Sequence, residues 1–121
     1  MKKFQSVGES QNLHLSEQDI WGNRGIGIDR KSRFIFFAKG IEFNDSFEKI
    51  ELQKVKRSEV NKIMKSSGTV SAVDRIELRI IFKDSGTPHL LLEFYNVQGG
   101  TMINDEYQLA EKWGKIINDS L

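Results

Sequence analysis

The run Arg75-Ile76-Glu77-Leu78-Arg79-Ile80-Ile81-Phe82 alternates at period two, and Leu90-Leu91-Leu92-Glu93-Phe94-Tyr95 repeats the pattern after a polar insert. Successive side chains of a strand point to opposite faces, so this spacing demands a sheet with one covered face. The insert, Lys83-Asp84-Ser85-Gly86-Thr87-Pro88, is rich in turn formers. The pair reads as an antiparallel hairpin. Ile76, Leu78, Ile80, Phe82, Leu90, Leu92 and Phe94 face inward, and Glu77, Arg79 and Glu93 face outward.

A second hairpin is legible upstream, where two apolar runs flank a polar turn in Gly25-Ile26-Gly27-Ile28-Asp29-Arg30-Lys31-Ser32-Arg33-Phe34-Ile35-Phe36-Phe37. Its second run is apolar at every position, which predicts a strand covered on both faces. Gly25 and Gly27 leave one face of the first strand bare, the mark of a close backbone approach or a bulge. Residues 40–48 read as a loop anchored by Ile41, Phe43 and Phe47. From Lys49 the chain alternates around Ile50 and Leu52. Residues 56–65 fit either strand or helix, with strand favoured, and a loop is expected through Ser66-Ser67-Gly68-Thr69.

The chain closes on helical periodicity. Ile103, Tyr107, Ala110, Trp113, Gly114, Ile117 and Leu121 share one stripe. Thr101 or Asn104 can cap this helix, Asp105 and Glu106 suit its N-terminal end, and Glu111 and Lys115 are spaced for an ion pair. Gly114 on the apolar stripe would bring the helix close to a sheet. Residues 1–19 are polar and weakly patterned, an N-terminal extension that is partly ordered at most, with a short strand around Leu13 and Leu15. Residues 20–121 form the domain.

Composition removes whole classes of function. The chain has 121 residues, enough for one core, and no cysteine, so disulfides, thiolate metal sites and cysteine nucleophiles are excluded. A net charge of +1 leaves nucleic-acid binding to local patches. No aromatic interleaving supports base stacking, so no nucleic-acid partner is expected. Two lysines open the chain but no apolar run follows, which predicts a cytoplasmic protein without a signal peptide.

The strand order and the terminal helix resemble the pleckstrin-homology-like barrel, in particular its small bacterial and GRAM-type members. The residues carrying the resemblance are Gly27–Phe37 for the opening hairpin, Lys49-Ile50-Glu51-Leu52-Gln53-Lys54-Val55, the 76–95 hairpin and the closing run Ala110-Glu111-Lys112-Trp113-Gly114-Lys115-Ile116-Ile117-Asn118. The resemblance implies a mainly β fold, a strongly bent antiparallel sheet or barrel capped by one amphipathic helix. It says little about ligand, because these are packing motifs.

Five basic residues, Arg24, Arg30, Lys31, Arg33 and Lys39, are expected around the first hairpin. In eukaryotic relatives that loop can hold phosphoinositide headgroups through a lysine and an arginine spaced by one residue, and Lys31-Ser32-Arg33 matches the spacing. Arg30, Lys31 and Arg33 are therefore the candidate anion-binding residues; a solvated polar turn is the competing reading. A second basic stretch, Lys54, Lys56, Arg57, Lys62 and Lys65, is interrupted by Glu51 and Glu59. The order of Gly22-Asn23-Arg24-Gly25-Ile26-Gly27 is wrong for a dinucleotide fingerprint. His14 and His89 lack ligand-spaced partners, and no nucleophile motif surrounds a serine. The expectation is a non-enzymatic binding module without cofactor or metal. Its partner is a protein or peptide, or an anionic lipid headgroup. The alternative is a homo-oligomeric assembly or an immunity- or inhibitor-type protein.

Overall fold

A computed structural model describes residues 3–43, 45–97 and 105–121. The chain falls into two compact units, Met1–Gln53 and Lys54–Leu121. Among the described residues, seven strands form two antiparallel sheets, and a helix comes last. The coarse reading, mainly β with a C-terminal helix, holds. Neither sheet closes on itself.

The first unit opens with helix α1 (Lys3–Ser10), followed by β1 (Glu17–Trp21), β2 (Arg24–Asp29), β3 (Phe34–Lys39) and β4 (Ser46–Glu51), each strand paired with the next. The expected hairpin is β2–β3, in a register that sets Gly27 opposite Phe36 and Gly25 opposite Ala38. Both faces of β3 are covered, since Ile35, Phe36, Phe37 and Ala38 are all buried. Residues 1–19 contribute more than an extension would. Phe4 and Leu13 join Phe36, Ala38 and Phe43 in one buried cluster. The segment around Leu13 and Leu15 is not a strand.

The glycines of β2 make room for that cluster. A Cβ on Gly25 would lie 2.5 Å from Cδ1 of Phe4, and one on Gly27 would lie 2.8 Å from Cδ1 of Leu15. The Phe4 ring sits 5.5 Å from Phe36 and 5.3 Å, edge-on, from Phe43. The 40–48 loop is shorter than expected, because β4 begins at Ser46. Ile41 is 81% exposed and anchors nothing, Phe47 is half-exposed on the strand, and Phe43 alone of the three is buried.

A 3₁₀ turn, Leu52–Lys54, precedes the second unit. There β5 (Val55–Ser67) and β6 (Val70–Phe82) form a long hairpin, and β7 (Leu90–Asn96) pairs with β6. Residues 56–65 are thus strand, and the expected loop contracts to a turn at Gly68 and Thr69. Gly68 takes a positive φ of 64°, which glycine adopts at little cost. Ile76, Leu78, Ile80, Leu92 and Phe94 are buried as the alternation demands. Glu77 departs from it. The β6–β7 register slips beside it, and its buried carboxylate meets the Arg75 guanidinium at 3.1 Å.

Helix α2 (Glu106–Asp119) buries Ala110, Trp113, Gly114 and Ile117. Gly114 does permit close packing, since a Cβ there would lie 3.3 Å from Leu78 and 3.5 Å from Val60. The proposed caps Thr101 and Asn104 lie outside the described residues, as does Ile103. Asp105 takes the cap position without a side-chain cap bond, and Leu121 is exposed rather than on the buried stripe. Lys115 pairs with Asp119 instead of Glu111, and Glu111 accepts the Tyr107 hydroxyl, which raises the Tyr107 pKa. Among the described residues, no helix is long and apolar enough to cross a membrane.

Asn118 ties α2 to β5, an edge strand of its sheet. Its amide oxygen accepts the Ser58 N–H at 2.8 Å and its amide nitrogen donates to the Ser58 carbonyl at 3.1 Å. The Ser58 hydroxyl donates to the Gly114 carbonyl at 3.0 Å. Asn118→Leu strands these Ser58 main-chain groups, so it should cost about 2 kcal/mol in a denaturant titration. A loss within error of zero would show that water replaces the amide without penalty.

Candidate functional site

Two clusters of cations merit comparison. The first is the β2–β3 turn, which brings Arg30, Lys31 and Arg33 together, all exposed. Asp29 builds the turn. One carboxylate oxygen accepts the amides of Lys31 and Ser32 at 3.1 and 3.0 Å, and the other accepts the amide of His14 at 2.9 Å. Burial acts to raise the Asp29 pKa, but the Ser32 amide and hydroxyl and the His14 and Lys31 amides outweigh it and hold the carboxyl below its ordinary value. Arg33 closes the turn through its N–H to the Asp29 carbonyl at 2.7 Å, with a left-handed φ of 63°.

This architecture shapes any anion site. The turn amides that could cradle an oxyanion already serve Asp29, so a ligand would meet side chains instead. The Arg30 guanidinium sits 3.2 Å from Glu17, in an exposed pair of modest strength. Lys31 projects its ammonium without a partner among the described residues. Arg24 and Lys39 do not join the turn, because they pair with each other at the opposite end of the hairpin.

The second cluster is concave and lies within the second unit. Lys56, Arg57, Ile81, Phe82, Lys83, Asp84, Ser85, Thr87 and His89 line a cavity of about 290 Å³. It divides the second basic stretch. Lys56 and Arg57 face the cavity, while Lys62 lies 4.4 Å from the Tyr107 ring, a cation–π contact.

Lys83 and His89 were not singled out as partners of Lys56 and Arg57 in the sequence. The structure shows why: the buried residues Val55 and Ser58 are three apart, where an unbroken strand would place them two or four apart. That spacing marks a bulge. Among the described residues, no group of three His, Asp or Glu side chains is arranged to hold a metal. His14 is exposed and touches Asp29 only through its main chain. Compared with family models, curated proteins and solved structures, the chain matches none.

Proposed function

We propose that the chain is a non-enzymatic binding module of pleckstrin-homology-like type, recognising an anionic group that a partner presents. The partner is an acidic segment of a protein or peptide, or a lipid headgroup. The order of hairpins followed by a terminal helix supports the fold part of this reading. The observation that carries the functional part is the β2–β3 turn, on which Arg30, Lys31 and Arg33 stand exposed above a backbone fixed by Asp29. A turn with exposed cations and its amides already bonded to Asp29 suits an extended anionic surface better than a small solute, because it offers side chains and no amide cradle.

Replacing Arg30, Lys31 and Arg33 together by serine tests the site. Each cation near an anionic membrane surface contributes about 1 kcal/mol, so the triple variant should bind anionic vesicles roughly 100-fold more weakly. Its melting temperature should stay unchanged, because the three side chains are exposed. The same comparison with an acidic peptide identifies which kind of partner is recognised. Unchanged binding of both probes would remove the turn from the function.

A further inference from the structure

A β-bulge and a stapled loop create the concave cluster of the second unit. In the β5–β6 ladder Val55 pairs with Phe82 and Arg57 with Ile81, so Lys56 is an extra residue. Adjacent side chains of a regular strand point to opposite faces, but a bulge re-aims them. Lys56 and Arg57 consequently line one cavity although they are neighbours in sequence.

The β6–β7 loop supplies the other wall. Asp84 fixes it by accepting the Gly86 amide at 3.2 Å and the Thr87 hydroxyl at 2.9 Å, while the Thr87 amide reaches the Asp84 carbonyl at 3.0 Å. The two bonds to its carboxylate, the Gly86 amide first and the Thr87 hydroxyl second, lower the Asp84 pKa. The Lys83 amide bonds the Lys54 carbonyl at 2.9 Å, joining the loop to the start of β5. Lys83 and His89 thus stand at the two ends of a braced loop, opposite Lys56 and Arg57.

Charge in the cavity is compensated only in part. Both carboxylate oxygens of Asp84 are occupied by the loop itself. Arg57 pairs with Glu59 at 2.8 Å, in the open. Neither Lys56 nor Lys83 has an ion pair among the described residues. Two ammonium groups, a guanidinium, an imidazole and the Ser85 hydroxyl therefore line one cavity with the internally satisfied Asp84, and Glu59, which pairs with Arg57 and attracts His89, leaves Lys56 and Lys83 as the uncompensated cations. Ligand pockets usually span roughly 300–1,000 Å³, so about 290 Å³ admits a small ligand or headgroup only.

We infer that this cleft is a binding site for a phosphoryl group, carried by a small phosphate compound or by a phosphomonoester headgroup. Several cationic donors from different directions match a tetrahedral dianion better than a planar, singly charged carboxylate. The site uses none of the residues of the β2–β3 turn, and its argument does not rest on that turn.

The test uses the full chain, with inorganic pyrophosphate and vesicles containing a phosphomonoester lipid as separate probes at fixed ionic strength. Lys56→Ser/Lys83→Ser should weaken binding about tenfold or more, since charge-assisted bonds are the strong ones. Both lysines are exposed, so the fold should survive, and Lys83→Gln alone gives a milder second variant. Pyrophosphate binding would indicate a soluble ligand, and vesicle binding alone a headgroup; either supports the site if the lysine variants lose it. Binding of neither probe, equal affinity for sulfate, or binding indifferent to Lys56 and Lys83 would overturn it.

Discussion

Asp29→Ala will lower the free energy of unfolding by about 3 kcal/mol, measured by denaturant titration. The carboxylate is 1% exposed and accepts three main-chain amides, from His14, Lys31 and Ser32. Alanine leaves those donors without their acceptor, and none belongs to a ladder that could absorb it. Asp29→Asn keeps one acceptor oxygen and should lose less. The pH dependence follows from the lowered pKa. The unfolded carboxyl takes up a proton near its ordinary value of about 3.9, and the folded one only at lower pH. Its contribution is therefore complete above that value and disappears as pH falls through the folded pKa. Asp29→Asn should flatten the acid limb of a stability–pH curve. An alanine variant as stable as the parent chain would sink this account of the turn.

Gly25→Val will displace Phe4 and cost about 4 kcal/mol, comparable to deleting a buried phenylalanine. Even one methyl at Gly25 falls 2.5–2.9 Å from three atoms of the Phe4 ring. The ring is fully buried, so it has nowhere to turn without vacating the Phe36–Phe43 cluster. The same clash predicts non-additivity. Gly25→Ala should be costly in the parent chain and nearly neutral once Phe4 is alanine, a coupling of about 2 kcal/mol. Simple addition of the two losses would mean that α1 does not rest on β2. Proteolysis within residues 3–10 should accelerate in Gly25→Val, because the helix loses its largest buried side chain.

How much of this was legible depends on what each signal measures. Periodicity reports burial, so the β2–β3 and β6–β7 hairpins and the buried stripe of α2 follow from apolar spacing alone. The bare face of β2 suggested a close backbone approach or a bulge, but side chains of Phe4 and Leu15 fill it; Phe4 was hidden because it sits in a polar segment with one strong apolar residue per turn. Glu77 escaped the pattern since a register slip and an arginine two residues away allow a carboxylate to be buried. Ile41 misled for the opposite reason: an apolar side chain in a turn need not be covered. Arg30, Lys31 and Arg33 are neighbours in the chain and were bound to be neighbours in space. The cleft joins Lys56 to Lys83 and His89 through strand pairing, a relation that charge spacing along the chain does not encode.

The Asn118 amide has a consequence beyond holding α2 in place. To Ser58 it presents one acceptor and one donor, the same pair that an adjoining strand would offer. An exposed strand edge is a template on which other chains can add, and natural sheets blunt such edges. Here a side chain occupies one rung of the template, and Lys62 and Lys65 place charge further along the same strand. Asn118 thus acts as a surrogate neighbour that terminates the sheet. Its removal should show first as concentration-dependent aggregation, before any large change in the fold of a single molecule.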